Sequence, residues 1–435
     1  MALGGGTFTT MNKKLPGTYI NFVSASKASA NLSDRGYVTM PLELNWGEEG
    51  KIFTVTQEDF IKKTMNIFGY TYDSEEMKGL RELFKNAQVA YLYRLNGGGS
   101  KATCAFGTAA CAGTRGNDLK IVIAANVDDD SKFDVTIYMG TTKLNSQTVA
   151  SASELVDDDF VKYDTSATLA VTAGVSFTGG TNETVSGASY STYLSLIEAY
   201  TFNVMGIVST EATIKALASA FVKRMRDQVG QKFQVVLYNY AGDYEGIINL
   251  KNTVSDTGAH AASLVYWLTG VEGACAVNAS CTNKLYDGEY TVSADYTQSQ
   301  LEAAIDAGEL VLHRVGDDIR ILTDIDSLTT TTDTKGDDFK ANQTIRVLDQ
   351  IANDIAVVFA TKYLGVIPND ADGRTSLWGD IVKLEQELEN IRAIEDFDEE
   401  DVEIAAGETK KAVVVTNAVT PVNAMEQLYM TVNVQ

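Results

Sequence analysis

The chain has 435 residues, which at roughly 100–200 residues per domain indicates about two to four domains. Hydrophobic residues make up 45% of it, the usual share for a protein with buried cores. The formal net charge of −23 argues against a nucleic-acid binder, which needs a basic face, so we expect no nucleic-acid partner.

The first residues, 1–6, carry neither the basic segment nor the apolar segment of a secretory signal. The longest apolar run, Ile351–Ile367, is interrupted by Asp354 and Lys362. It therefore predicts a buried helix and not a membrane span. We expect the chain to be made and kept in the cytoplasm until assembly, with no direct insertion into a membrane.

The cysteines form two close pairs, Cys104 with Cys111 and Cys275 with Cys281. Neither pair has the CxxC spacing of a redox or zinc motif. A reducing cytoplasm favours free thiols, and a zinc site made of four thiolates needs tighter spacing. We therefore predict no metal site and no cofactor.

Residues 1–22 are predicted to form an extended N-terminal arm. The glycines at 4–6 favour flexibility, and Pro16-Gly17 ends any helix. Tyr19–Val23 is typical of a strand. Nothing in this stretch could form a core by itself, so its strand needs another surface.

Two stretches, 23–95 and 196–330, have the pattern of an α/β core. Val38–Leu44, Val89–Leu95 and Phe233–Tyr238 are typical of buried strands. Such strands separated by helical patterns favour a sheet covered by helices.

Helix starts in this core are predicted from short capping patterns. Thr56 is followed three residues later by Asp59, and Thr297 by Gln300, which resembles a capping box at each place. The stretch Gly258–Thr269 is also predicted to be a helix. These helices complete the α/β core.

Residues 96–195 differ from the core because they are rich in Thr, Ser, Val, Gly and Asp. Short alternating segments predict strands at Leu119–Ala124, Phe133–Met139 and Leu169–Val175. We predict an all-β sandwich inserted into the α/β core, with acidic turns that contain Asp128–Asp130 and Asp157–Asp159.

The stretch 331–405 is predicted to be mainly helical, with amphipathic helices at about 338–363 and 375–393. Apolar residues spaced 4, 3, 4, 3 along the second helix form one seam: Leu377, Ile381, Leu384, Leu388 and Ile391. The seam either packs on its own domain, which we favour, or binds a partner.

The last stretch, 406–435, is predicted to contain strands and a C-terminal arm. Ala412–Val415 is β-branched, and Tyr429–Val434 alternates apolar and polar residues. A strand at 429–434 with nothing after it must pair with another surface, because an unpaired edge promotes aggregation.

A search for catalytic patterns identifies no candidate catalytic residue. The histidines are His260, predicted on a helix, and His313, predicted in a strand. The sequence contains no GxSxG, no phosphate-binding glycine motif and no HExxH. We therefore predict that the chain is not an enzyme.

Three segments in order resemble phage tail sheath proteins. Leu15–Ile20 is similar to the opening "PGvYi" of that family, and Asp324–Thr330 resembles its "INSLT" signature, with Asp326 where Asn is common. Val419–Val432 resembles the C-terminus of sheaths from contractile phages and from phage-like bacteriocins of Gram-positive bacteria.

The resemblance implies an α/β core that carries an inserted β-sandwich and has extended terminal arms. It implies a subunit that polymerises as stacked rings around an inner tube, and contraction that drives the tube through a target cell envelope. The arms would exchange strands between subunits, and the candidate residues for this exchange are Tyr19, Ile20, Phe22, Tyr429, Met430, Thr431, Val432 and Val434.

The resemblance also implies the partners. They are further copies of the chain, the inner tube protein, and baseplate and terminator proteins. A helix of the C-terminal part would contact the tube, with Lys383 and Arg392 as candidates. The assembled chain would belong to a virion tail or a phage-tail-like particle assembled in the bacterial cytoplasm and released on lysis.

Two other interpretations stay open. The first is another self-assembling structural protein, such as a tube or surface-layer subunit. The long helices argue against a tube protein, and a surface-layer protein would need a signal peptide. The second is an α/β hydrolase-like enzyme, which would need a reactive Ser or Cys near His260 or His313.

Overall fold

The computed structural model describes residues 32–434. In chain order the strands of this part are Tyr37–Leu42 (β1), Ile52–Thr56 (β2), Val89–Arg94 (β3), Lys101–Cys104 (β4), Gly107–Ala112 (β5), Leu119–Ala125 (β6), Phe133–Met139 (β7), Thr142–Val149 (β8), Val161–Tyr163 (β9), Thr172–Ser176 (β10), Val204–Ile207 (β11), Gln234–Tyr238 (β12), Ile247–Leu250 (β13), Leu312–Val315 (β14), Asp318–Ile321 (β15), Ile394–Glu395 (β16), Val402–Ala406 (β17), Val413–Asn417 (β18) and Thr420–Pro421 (β19).

The α-helices of the same part, in chain order, are Gln57–Phe68 (α1), Lys78–Phe84 (α2), Gly187–Ile197 (α3), Ala212–Arg224 (α4), Leu264–Ala274 (α5), Gln298–Asp306 (α6), Asn342–Val358 (α7) and Ala371–Asn390 (α8). Two π-helical turns, Met225–Val229 and Phe359–Tyr363, extend α4 and α7. The predicted arm at 1–22 lies outside the described residues.

The core is a six-stranded sheet in the order β13-β12-β11-β1-β3-β2. Its strands are parallel except for β2, which runs antiparallel to β3 at one edge. Helices α1, α2 and α5 pack over one apolar cluster on one face of the sheet, and α3 and α4 pack over a second apolar cluster on the other face. Burial on both faces explains the nearly continuous apolar strands such as β12.

The stretch between Asn96 and Glu183 forms a β-sandwich. One sheet has the order β10-β6-β7-β8 and the other β4-β5-β9. Their facing side chains form a separate apolar cluster, to which the core contributes Trp46. The chain leaves and re-enters the core at adjacent points, because the N–H of Glu183 donates to the carbonyl of Asn96 at 3.1 Å.

The C-terminal part packs α7 and α8 against the β17–β18 hairpin, with apolar residues of all these elements in one cluster. The indole of Trp378 on α8 donates to the carbonyl of Val402 in β17 at 3.0 Å. Leu377, Ile381 and Leu384 of the predicted seam pack inside their own part of the chain, as we favoured, whereas Leu388 belongs to a cluster that includes Val277 of the core. The last residue of the seam, Ile391, is 37% exposed.

Mixed α/β architecture with an inserted β-sandwich confirms the predicted fold class. The predicted domain boundaries stay predictions.

Both predicted capping patterns cap a helix: the hydroxyl of Thr56 accepts from the N–H of Asp59, and that of Thr297 accepts from the N–H of Gln300. The helix predicted over 258–269 is wrong in its start, because residues 258–263 form turns and Gly258 has a φ of +83°.

Candidate assembly surfaces

The two histidines do not form a catalytic arrangement in the described part of the chain. The prediction that His260 lies on a helix is wrong: it lies in the loop before α5, where its Nδ1 accepts from the N–H of Ala262 at 3.2 Å. His313 lies in β14, as predicted, and burial lowers its pKa. Among residues 32–434 no hydrogen bond joins either histidine to a serine or cysteine side chain.

A cavity of about 550 Å³ lies beyond the carboxyl ends of β1 and β11, with His260 and Ser263 in its wall. This is the place where doubly wound sheets bind ligands. Burial raises the pKa of the Tyr290 phenol, and the hydroxyl of Ser263, which faces this phenol, offsets part of that rise. The cavity therefore contains a serine and a histidine without the hydrogen bond of a nucleophile–base pair.

Arg346 on α7 is the centre of a buried ion network. Its Nη2 donates to Glu272 Oε2 at 2.7 Å and to Asp324 Oδ2 at 3.2 Å, and its Nη1 donates to the carbonyl of Ala279. Burial raises the pKa of Glu272 well above its ordinary value. The network ties α5, α7 and the segment around Asp324 together, which positions the C-terminal part on the core.

Glu272, Cys281 and Asp324 each place one possible metal-ligand atom within 4.8 Å of the others. Arg346 already donates to both carboxyl groups, and its single charge lowers the pKa of Asp324 while burial raises that of Glu272. This donor set fits an internal ion pair better than a metal centre. Cys104 belongs to the β-sandwich cluster, remote in the fold from this network, so the cysteines do not converge on one site.

The signature segment 324–330 connects the sheet to α7. The N–H of Ser327 donates to the carbonyl of Ile247 at the start of β13, and its hydroxyl donates to the carbonyl of Tyr244. The carboxylate of Asp243 accepts from the backbone N–H groups of Thr329 and Thr330 at 2.8 and 2.9 Å. The motif is therefore a set of buried turns with a structural role.

The chain between β19 and Glu426 is attached to the body. The N–H of Ala424 donates to Gln343 Oε1 at 3.0 Å. The carboxylate of Glu426 accepts from the hydroxyls of Thr282 at 2.6 Å and Thr323 at 2.8 Å. Sequence reasoning missed this attachment, because a single glutamate in an acidic chain carries no local signal.

Beyond Glu426 the chain loses contact with the body. Among the described residues, the side chains of 427–434 make one hydrogen bond, from the hydroxyl of Tyr429 to Gln427. Tyr429 is 88% exposed and Val434 94%. The predicted strand at 429–434 pairs with no segment among residues 32–434 and does not form a strand there. The predicted exchange residues Tyr19, Ile20 and Phe22 lie outside the described residues.

The β17–β18 hairpin presents an open edge in the described part of the chain. β18 pairs with β17 alone, and Val414 and Val415 are exposed on it. An exposed edge strand with β-branched residues can accept a further strand.

The predicted tube-contact residues lie near the end of α8. Lys383 lies 3.6 Å from Glu387 one turn later. Arg392 follows the helix with a φ of +62° and an exposed side chain. Their contact with a tube stays a prediction.

A groove lies between the end of α7, the start of α8 and the hairpin turn, with a volume of about 490 Å³. We call it the cationic groove, because its lining includes Arg374, Lys410 and Lys411 and no acidic residue. The lysine pair was the only visible signal for it in the sequence, because three separate segments build the groove.

Family models of phage tail sheath proteins match four successive segments. They are described as the tail sheath protein Gp18 domain III N-terminal region, at 35–95, and the phage tail sheath protein beta-sandwich domain, at 97–182. The phage tail sheath protein central domain matches 183–327, and the phage tail sheath C-terminal domain matches 334–435. None of the helices in residues 32–434 is long and apolar enough to cross a membrane.

Similar proteins agree with these matches. Phage-like element PBSX protein XkdK of Bacillus subtilis (strain 168) is 33% identical over 99% of this chain and 100% of its own length. The sheath tail protein of Desulfitobacterium hafniense is 36% identical, covers 95% of this chain and 99% of its own, and has a TM-score of 0.82. The sheath tail protein of Listeria innocua is 30% identical, covers 90% of this chain and 93% of its own, and has a TM-score of 0.77. The chain therefore belongs to the phage tail sheath protein family and is a subunit of a contractile tail sheath.

Proposed function

We propose that this subunit polymerises as stacked rings around an inner tube by lending its terminal strands to neighbouring copies. The observation that carries the proposal is the segment 427–434, which is alternating, apolar and exposed and pairs with no strand among residues 32–434. A strand of this kind can gain its main-chain hydrogen bonds by adding to the sheet edge of another chain. In a neighbouring subunit the open edge of β18 offers such a partner.

We propose that the sheath contracts while the strands exchanged between subunits stay paired. Strand exchange connects the subunits, while the arms allow the bodies to move relative to one another. The contracted form buries more surface between bodies, so the energy comes from folding and packing and not from a nucleotide. A baseplate partner triggers contraction, a terminator partner closes the far end, and the tube is driven through the target envelope. The assembled particle is released when the cell lyses.

The proposal does not assign an enzymatic activity to the chain. The absence of a serine–histidine or cysteine–histidine hydrogen bond among residues 32–434 supports this choice over a hydrolase-like enzyme. The two long helices α7 and α8 support a sheath over a tube protein.

The test of strand exchange is truncation. Deleting 1–22 or 420–435 should leave a folded monomer that forms no tubes, measured by negative-stain electron microscopy and size-exclusion chromatography with the tube protein present. A shorter deletion of 427–435 keeps the attachment at Glu426 and should have the same effect. Long tubes from any of these truncated chains would contradict strand exchange.

We also propose that Lys383 and Arg392 contact the tube through charge. Replacing both with Glu should prevent assembly on tubes while the fold is kept, because both side chains are substantially exposed. Co-sedimentation of the variant with preformed tubes measures the effect. Wild-type co-sedimentation would exclude these two residues from the contact.

A further inference from the structure

We infer that the turn Val127–Asp130 at the tip of the β-sandwich of one subunit binds the cationic groove of another subunit. This contact would join bodies, not arms, and it rests on the proposed polymerisation. No contact between this turn and the cationic groove occurs within one chain among residues 32–434. The two surfaces have complementary chemistry.

The cationic groove is unusual for a chain with a net charge of −23. Its three cationic side chains have no acidic residue among the groove's lining. In the described part of the chain no carboxylate pairs with Lys410 or Lys411, and both are exposed. Such a cluster attracts carboxylates, and the acidic surface of a second copy supplies them.

The floor of the cationic groove is apolar. Phe359, Leu364 and Ile367 contribute to it, and Leu364 is 65% exposed. The matching ligand therefore has an apolar side chain next to carboxylates. Exposed apolar groups with a polar rim are typical of interaction sites.

The turn between β6 and β7 has this chemistry. Val127 is 94% exposed, and Asp128, Asp129 and Asp130 follow it directly. The side-chain oxygen of Asn126 accepts from the N–H groups of Asp128 and Asp129, both at 3.0 Å, so the turn is preorganised. In residues 32–434 no hydrogen bond or ion pair involves the side chains of Asp128 and Asp130.

The second acidic turn, Val156–Asp159, has the same order of residues but uses its carboxylates internally. Asp158 accepts from the backbone N–H groups of Phe160 and Val161, and Asp157 accepts from that of Tyr163. Asp159 accepts from the side chain of Asn66. The free carboxylates at Asp128 and Asp130 therefore select the first turn as the ligand.

A contact between two different surfaces of the same chain is heterologous. Such a contact leaves a free turn at one end of a polymer and a free groove at the other, so it repeats along the polymer. It would place Val127 on the apolar floor and Asp128 and Asp130 near Lys410 and Lys411. Its charged pairs are exposed, so the contact would weaken as ionic strength rises.

The direct test is zero-length carbodiimide coupling, which joins a lysine to a carboxylate only at contact distance. Full-length chain labelled with ¹⁵N is mixed with unlabelled chain, assembled with the tube protein or concentrated without it, and coupled. We expect mixed-isotope peptides that join Lys410 or Lys411 to Asp128 or Asp130. Absence of these peptides while other couplings between subunits form would overturn the inference.

Charge exchange tests the contribution of the contact to assembly. Lys410→Glu with Lys411→Glu, or Asp128→Lys with Asp130→Lys, should each lower the sedimentable polymer about tenfold. The four substitutions together should restore it. Glu399→Lys with Glu400→Lys is the matched control and should leave polymer yield unchanged, because these exposed residues lie outside both surfaces.

The two proposals fail in different ways. Full assembly by both charge-reversed pairs, or no recovery in the fourfold variant, would overturn the contact but leave strand exchange intact. Wild-type chain that forms no polymer with the tube protein would overturn the proposed function. In that case the coupling experiment on concentrated chain still shows whether the turn Val127–Asp130 contacts the cationic groove.

Discussion

Two buried aspartates in the signature segment, two residues apart, have opposite pKa shifts. Burial alone would raise the pKa of Asp324, but Arg346, the N–H of Cys281 and the amide of Asn342 hold it below the ordinary value. Burial raises the pKa of Asp326 well above the ordinary value, and one N–H, from Leu328, offsets little of this. Burial therefore favours the protonated form of Asp326 in the folded protein.

Asp326→Asn should stabilise the protein near neutral pH by about 1–3 kcal/mol. Asparagine keeps the acceptor for the N–H of Leu328 and avoids burying a carboxylate whose Oδ2 has no partner in the described part of the chain. The wild-type free energy of unfolding falls as pH rises from the unfolded pKa, about 3.9, toward the raised folded pKa. The asparagine variant lacks this fall.

Calorimetric midpoints measured from pH 4 to 9 test this, and the advantage of the variant should grow with pH. Asp324→Asn is the matched control, with the same chemical change two residues away. It removes a carboxylate that pairs with buried Arg346, so it should destabilise by about 3–5 kcal/mol. An Asp326→Asn variant less stable than wild type at pH 8 would contradict the raised pKa of Asp326.

At the scale of elements, the sequence predicted helix caps set by neighbouring residues but not features built by contacts between distant segments. Thr56 and Thr297 cap helices because the capping hydroxyl and the N–H it accepts from lie three residues apart. The helix predicted from Gly258 begins at Leu264, because a left-handed glycine and turns precede it. The cationic groove combines segments remote in sequence, which no periodicity reveals.

The C-terminal arm also depends on contacts between distant segments that the sequence does not reveal. The alternation at 429–434 predicts a segment in need of a partner, and residues 32–434 supply none, so its pairing stays a prediction. The point where the arm leaves the body depends on Glu426 and two threonine hydroxyls from distant segments. Sequence reasoning identified the arm but missed where it is attached.

Glu426→Ala should loosen the attachment of the arm without unfolding the body. Losing two hydrogen bonds at an exposed site should destabilise the local contact by about 1 kcal/mol, which corresponds to about fivefold more frequent opening. Hydrogen exchange at Val422 and Ala424, whose N–H groups donate to the body, measures it. Glu408→Ala is the control, and equal exchange in both variants would exclude the attachment role.

At the scale of the whole molecule, the β-sandwich is an insertion with its own core. Its apolar cluster is built from residues between Ala102 and Phe177, apart from Trp46 and the partly buried Met65, which come from the α/β core. Trp46 stacks on Phe160 with ring centroids 6.2 Å apart. The two ends of the insertion are joined by the hydrogen bond between Glu183 and Asn96, so the core sheet closes without it.

Replacing 97–182 with Gly-Ser-Gly should therefore leave a folded α/β core. The hydrogen bond of 3.1 Å between the flanking residues lets a short turn bridge the gap without strain. Trp46→Gln should accompany the deletion, since the sandwich no longer covers this side chain. Circular dichroism and a single cooperative thermal transition measure the outcome. A molten or insoluble product would mean that the sandwich and the core fold as one unit through Trp46 and Arg94, which donates to Ala112 and Asn182 of the insertion.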